Sequence, residues 1–221
     1  GMGQLSAGIA HELNNPLGVI TMYSNIIREE LPADSPVVQD INLIVEQADR
    51  CRKIVGGLLN FARKNQVNLT ESDVVKLARH SIGSVIIPDS IKLRLNNKVS
   101  DPLVNLDYDQ MTQVFANLLK NAVDAMPGQG EIDFDLVDNH DQLIVSITDN
   151  GTGIPPENMD KLFTPFFTTK GPGKGTGLGL PIIYGIVKMH KGDISVKSNI
   201  DPAKGPTGTT FTITIPRNRL V

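Results

Sequence analysis

The chain has 221 residues, and a composition that is 40% hydrophobic and 20% charged supplies a real core and excludes wholesale disorder. A formal charge of −3, with 21 Lys and Arg spread along the chain, offers no basic field for nucleic-acid phosphates. Its one cysteine, Cys51, excludes an internal disulfide and suits a reducing compartment, and no apolar run approaches the roughly 20 residues that a membrane-spanning helix needs.

The length favours two domains. Gly1 before Met2 reads as a cloning scar, so the chain is expected to be a piece of a longer protein. Any membrane attachment would then come only through a missing N-terminal segment. From Ser6 to Ile27, the residues Ile9, Leu13, Pro16, Ile20, Tyr23 and Ile27 recur at alternating steps of four and three, which predicts a bundle helix kinked at Pro16. After the Leu31–Pro36 break, Ile41, Ile44, Ala48, Cys51, Val55, Leu58 and Ala62 repeat the spacing and predict a second helix of about 40 Å. These seams exceed what one hairpin covers. The expectation is a homodimer whose two hairpins form a four-helix bundle; the competing arrangement packs the hairpin on the chain's own second half. On the outer side of the first helix, His11, Asn15 and Gly18 form one stripe, with Glu12 beside the imidazole as an orienting or proton-accepting carboxylate.

From about Val67 the pattern changes to mixed α/β. Strands are predicted over Ser90–Val99, Glu131–Val137, Leu143–Asp149, Asp193–Ser198 and Thr209–Ile215, with hairpins joining the second to the third and the fourth to the fifth. A helix over Tyr108–Met126 has Asp107 as N-cap and Pro127-Gly128 as its stop. Its apolar face is flanked by Asn117, Asn121 and Asp124, a polar stripe that suggests the floor of a site. Leu143, Val145, Ile147 and Asp149 share one strand face, so the Asp149 carboxylate points inward and needs a donor. An adenine amino group would satisfy it, a guanine carbonyl would be repelled, and the glycines after it leave room for a flat ligand. The tract from Gly171 to Leu180 leads into a helix running to about His190, and its amides can hold phosphates, although it is neither a Walker loop nor a Rossmann fingerprint.

Taken together these motifs resemble the catalytic core of two-component sensor histidine kinases. Residues 8–17 (GIAHELNNPL) are similar to the phosphoacceptor box, and 117–125 (NLLKNAVDA) to the N box. Residues 149–153 (DNGTG) resemble the first glycine box, 163–170 (FTPFFTTK) the F box, and 175–179 (GTGLG) the second glycine box. The resemblance implies a long antiparallel helical hairpin over residues 1–66 for dimerisation and histidine phosphotransfer. It also implies an α/β sandwich of Bergerat type over 67–221 that binds ATP.

The resemblance further implies roles. His11 would accept the γ-phosphoryl group, Glu12 would take its proton, and Asn15 would position water for dephosphorylating a response-regulator receiver domain. Asn121 would ligate Mg²⁺ and Asn117 would contact phosphate. Asp149 would hold the adenine, with Gly151 and Gly153 allowing close approach and Thr209 at the adenine edge. Lys170 and Lys174 on the lid, with Gly175, Gly177 and Gly179, would serve the phosphates. Asp124 stands where many members carry a basic residue, so a role through water or the metal's outer contacts is expected there. The fragment is expected in the cytoplasm. Readings from other classes are an ATP-driven conformational machine and a nucleotide-binding scaffold without phosphotransfer. His80 and His140 have no second metal ligand at suitable spacing, His190 is expected to cap carbonyls, and Cys51 to fill the bundle seam.

Overall fold

The computed structural model describes residues 2–32, 34–63, 67–139, 141–171 and 175–217, the side chains of 2–12, 53–54 and 57–63 excepted. The chain forms two compact units: Gly1–Asn65 with Thr164–Leu178, and Gln66–Phe163 with Gly179–Val221.

The first unit holds α1 (Met2–Glu30) and α2 (Val37–Arg63), which lie against each other as a helical hairpin. Near the turn, Arg28 Nη1 donates to Asn42 Oδ1 at 3.3 Å. Within the single hairpin, Ile41, Ala48 and Val55 are buried, a seven-residue spacing that marks the face of α2 turned to α1. Of the rest of the predicted seam, the side chains of Ile9, Leu58 and Ala62 lie outside the described ones. Leu13, Ile20, Tyr23 and Ile27 on α1 and Ile44 on α2 are each more than 40% exposed. Cys51, expected inside, is exposed as well. One helix partner covers only one side of each helix, so half of a bundle seam stays bare in a lone hairpin.

The second unit is a five-stranded sheet with helices on one face. Its strands are β2 (Ile91–Lys98), β4 (Gly130–Asp138), β5 (Gln142–Asp149), β6 (Asp193–Asn199) and β7 (Gly208–Pro216), in the order β2-β4-β5-β7-β6. β2 and β4 run parallel and the other neighbours antiparallel, which includes both predicted hairpins. β1 (Thr70–Asp73) and β3 (Leu103–Leu106), on either side of β2 in the chain, form a separate two-stranded antiparallel sheet. The covering helices are α3 (Val74–Gly83), α4 (Tyr108–Asp124) and α6 (Gly179–Met189), and α5 (Pro156–Met159) is a single turn.

The core lies where these helices meet the apolar face of the sheet. Phe115 of α4 stands edge-on to Phe134 of β4 with ring centroids 5.3 Å apart, and both are fully buried. The strands alternate, with Ile132, Phe134 and Leu136 or Leu143, Val145 and Ile147 inside and mostly polar residues outside, where Val137 and Ile144 pair as the apolar exceptions. On the outer face Arg94 is bidentate to Asp133, with Nε at 2.7 Å and Nη2 at 3.0 Å, and Nη2 also reaches Glu131 at 2.8 Å. At the other end of β4, buried Arg217 donates through Nη2 to Asp138 Oδ2 at 2.9 Å and to the Asp101 carbonyl. This arrangement ties the residue that follows β7 to the turn between β2 and β3.

Candidate nucleotide-binding site and phosphoacceptor helix

Asp149 closes β5 at the edge of the core, and strand alternation turns it to the helix side as the row of Leu143, Val145 and Ile147 requires. It is 6% exposed. Among the described residues both of its hydrogen bonds fall on Oδ1, from Gly151 N–H at 2.9 Å and from Thr209 N–H at 3.3 Å. No donor among the described residues reaches the second oxygen. Burial raises the Asp149 carboxyl above its ordinary range, and the two backbone donors pull it part of the way back.

The turn after Asp149 is fixed by its neighbours. Asn150 Oδ1 accepts from Glu131 N–H at 2.8 Å, and Thr152 N–H donates to the Ala125 carbonyl at 3.1 Å just past the end of α4. A Cβ at Gly151 would lie 2.5 Å from that carbonyl. The room that glycine keeps at this position is therefore used first by the protein's own backbone. This close approach seats the loop on the helix that carries Asn117 and Asn121. Gly153, at φ +73°, faces Asn199 in the same way.

Thr209 is the register partner of Asp149 across the β5–β7 ladder and is buried. Ser198, which the sequence reading did not single out, organises this corner. Its hydroxyl donates to the Gly208 carbonyl at 2.8 Å, accepts from Ile154 N–H at 2.8 Å, and lies 2.9 Å from Thr209 Oγ1. With its one proton committed to Gly208, Ser198 receives the Thr209 proton and leaves the Thr209 oxygen as an acceptor. Nothing in the local pattern marks this serine, since its partners are 10, 11 and 44 residues away in sequence.

α4 begins as predicted, with Asp107 Oδ1 accepting from Gln110 N–H at 3.0 Å, but its last helical residue is Asp124 rather than Met126. Ala125 then hands its carbonyl to the Asp149–Gly153 loop. Asn117 and Asn121 are half-buried and one turn apart on this helix, whereas Asp124 is exposed. The site thus brings Asn117, Asn121, Asp149, Gly151, Gly153 and Thr209 onto one unit. Among the described residues no group of three or more His, Cys, Asp or Glu could hold a metal. A cation here would draw on an amide oxygen and on ligand oxygens, which is the donor set Mg²⁺ accepts.

Thr164–Leu178 belongs to the other unit and is closed on itself. Phe166 N–H donates to the Gly177 carbonyl at 2.9 Å, with Phe166 at φ 69° and Gly177 at φ +66°. A Cβ on Gly177 would lie 2.3 Å from the Phe166 carbonyl carbon, so only glycine allows this pairing. One on Gly175 would lie 2.7 Å from Thr168 Oγ1. Lys170 is exposed, with its N–H on Thr168 Oγ1 at 3.2 Å, Gly179 opens α6, and Lys174 lies outside the described residues.

On α1 the side chains of His11 and Glu12 lie outside the described ones, while Asn15 is exposed one turn after His11. At Gly18 a Cβ would meet nothing within 4 Å, so that surface is open within the chain. Of the other histidines, His80 is exposed with Nδ1 3.1 Å from Tyr108 Oη, and His140 lies outside the described residues. His190 does contact a carbonyl, that of Ile186, and is buried.

Comparison with known proteins agrees with this geometry. Residues 106–219, just over half of the chain, match the family described as Histidine kinase-, DNA gyrase B-, and HSP90-like ATPase. Residues 2–67 match the His Kinase A (phospho-acceptor) domain. Sensor histidine kinase ZraS of Escherichia coli (strain K12) is 34% identical over 98% of this chain and 46% of its own length. Sensor kinase CckA of Brucella abortus (strain 2308) is 37% identical over 98% of the chain and 24% of its own. The chain therefore spans less than half of these relatives. Among solved structures, full-length ShkA in complex with AMPPNP superposes with TM-score 0.72 at 22% identity, covering 98% of this chain and 46% of that one, a likeness of fold. The histidine kinase ThkA in complex with the response regulator protein TrrA gives 0.66 at 26% identity, over 98% and 62%. The chain belongs to the histidine kinase-, DNA gyrase B-, and HSP90-like ATPase family, and within it to the sensor histidine kinases, whose phospho-acceptor hairpin precedes the ATPase fold.

Proposed function

We propose that this chain binds ATP, transfers its γ-phosphoryl group to His11, and passes that group on to an aspartate of a response-regulator receiver domain. The observation that carries the nucleotide half is Asp149, a buried carboxylate with both hydrogen bonds on one oxygen and the other left to accept. That oxygen takes the amino group of adenine and repels the carbonyl that guanine presents at the same edge. Thr209 completes the adenine edge through water, and Gly151 and Gly153 hold the loop beside the base. Asn117 contacts the phosphates. Lys170, Lys174 and the backbone of Gly175, Gly177 and Gly179 offset their charge.

In the transfer an imidazole nitrogen of His11 attacks the γ-phosphorus in line. An N–P bond forms, the bond from the γ-phosphorus to the bridging oxygen breaks, and ADP leaves with the electron pair, while Glu12 takes the imidazole proton. Asn121 would hold Mg²⁺ through its amide oxygen, with Asp124 acting through water, and the ion when bound neutralises charge on the phosphates. The half-buried amide of Asn121, with no group of three or more His, Cys, Asp or Glu among the described residues to compete with it, suits a cation that keeps phosphate and water ligands. Asn15, exposed and one turn from His11, aligns water against the receiver's aspartyl phosphate, which makes the chain bifunctional. Loss of receiver dephosphorylation in Asn15→Ala supports this role, and retained dephosphorylation removes it.

Residues 1–66 act as the dimerisation and phosphoacceptor part and 67–221 as the ATP-binding part. The bare seam of Leu13, Ile20, Tyr23, Ile27 and Ile44 supports a homodimer whose hairpins form a four-helix bundle. No helix among the described residues is long and apolar enough to cross a membrane, and we assign the reaction to the cytoplasm, where ATP and receivers are available. Competition binding tests the nucleotide half. ADP should displace a fluorescent ATP analogue and GDP should not, whereas equal displacement by the two would remove Asp149 from base recognition.

A further inference from the structure

Three parts of the ATP-binding unit meet at Asp107. Its Oδ1 caps α4 by accepting from Gln110 N–H, and its Oδ2 accepts at 3.1 Å from the N–H of Asn68, in the segment that follows the helical hairpin. Its own N–H donates to His190 Nε2 at 3.0 Å. His190 stands one residue beyond α6, is 4% exposed, and places Nδ1 2.8 Å from the Ile186 carbonyl. Only one tautomer satisfies both ring contacts: Nδ1 carries the proton and donates to the carbonyl, and Nε2 accepts. Burial lowers the imidazole's affinity for a second proton, which keeps that acceptor in place.

A helix N-terminus needs acceptors for its free N–H groups, and the Asp107 side chain supplies one, for Gln110, without help from Asn68 or His190. The extra partners are what require explanation. The bond from His190 ties the start of α4, the helix of Asn117 and Asn121, to the end of α6, the helix that Gly179 opens. The bond to Asn68 ties the same cap to the chain leaving the hairpin. A shift of Asn68 therefore loads the cap of α4, and a shift of α4 along its axis loads α6.

We propose that Asp107 and His190 are positioning residues that couple the segment at Asn68 to the nucleotide site, by fixing α4 against α6. This inference rests on the ATP-binding reading above. Neither residue touches nucleotide. Their effect reaches it through where Asn117 and Asn121 stand.

The test is a double-mutant cycle in the 221-residue chain, with the affinity for ADP and Mg²⁺ measured by calorimetry below the lowest unfolding temperature. Asp107→Ser keeps one cap oxygen and loses the acceptor for Asn68, and His190→Leu loses the ring contacts. Each should weaken binding about three- to ten-fold, and the double variant should be no weaker than the weaker single. His190→Gln, which can restore an acceptor near Asp107 N–H, should recover most of the loss. If His190→Leu does not fold, His190→Asn takes its place, since it can keep the donor to Ile186 and lacks the far acceptor. Parental affinity with a lowered unfolding temperature means a structural role only and overturns the proposal, as do losses that simply add. A parent chain that does not bind ADP overturns the ATP-binding reading itself, a separate failure visible before any variant is made.

Discussion

Asp149 and Thr209 face each other across the β5–β7 ladder, and the Thr209 N–H reaches Asp149 Oδ1 at 3.3 Å while Gly151 N–H reaches the same oxygen at 2.9 Å. One oxygen of a buried carboxylate is thereby satisfied, while no donor among the described residues reaches the other, the one proposed above to take the adenine amino group. Removing it in Asp149→Ala deletes a hydrogen bond to a charged group and should weaken ATP binding about 10- to 100-fold, measured by calorimetry. A loss under about two-fold would place the adenine elsewhere.

Gly208 passes next to this pair at φ +136°, and a Cβ there would lie 1.9 Å from the Asp149 carbonyl oxygen. Neither the backbone angle nor the space admits a side chain. Gly208→Ala is expected to destabilise the ATP-binding unit by about 2 kcal/mol or more in denaturant unfolding, with weakened ADP binding, as the β5–β7 pairing opens at Asp149. Gly18→Ala, inside α1 where a Cβ would meet nothing within 4 Å beyond its own helix, should leave the hairpin folded and slightly more stable, by up to about 1 kcal/mol, and serves as the contrast.

His190 gives a pH dependence whose direction is fixed by its environment. Burial depresses its folded pKa below the ordinary 6.5. Between those two values the unfolded chain binds a proton that the folded chain does not. Stability contributed by the neutral ring is thus complete above about pH 6.5 and is lost as the pH falls through that window. Unfolding temperatures taken from pH 7.5 down to pH 5 should fall more steeply for the parent than for His190→Gln, and parallel curves would mean that His190 titrates freely.

The bare seam on the hairpin predicts assembly. Ile20→Glu or Tyr23→Glu would bury an unpaired carboxylate in a bundle of two hairpins and should weaken dimerisation at least about 100-fold, read by analytical ultracentrifugation. A dimer unchanged by both substitutions would mean that another surface joins the copies.

The sheet's far end offers a test of stability alone. Arg217→Met leaves Asp138 buried without its guanidinium, and although Ser100 still donates to that carboxylate at 3.0 and 2.9 Å, a loss of about 3 kcal/mol is expected in chemical denaturation. Nucleotide affinity should stay at the parental value.

How much of this was legible beforehand depends on the range of the interactions. The five main strands, their hairpins and α4 follow from alternation, helical period and capping, which are signals carried within a few residues. β1 and β3 were missed because Thr-Glu-Ser-Asp has no apolar alternation, and its pairing with Leu103–Leu106 is decided by a partner thirty residues on. The inward aspartate was readable from β5 alone, but Ser198 and the His190–Asp107 bond were not, since they join residues far apart in sequence. Cys51 shows the converse. Its seam position is real as a periodicity, yet a single hairpin leaves it exposed, because period marks an apolar face and not what covers it.

The most direct test of the account is to incubate the chain with γ-labelled ATP and Mg²⁺, treat the product with acid or alkali, and compare it with His11→Ala. Protein-bound label that survives alkali, is released by acid and is absent from His11→Ala is the predicted result. Nucleotide bound or hydrolysed with no label on the protein would contradict it and favour an ATP-driven conformational machine or a nucleotide-binding scaffold.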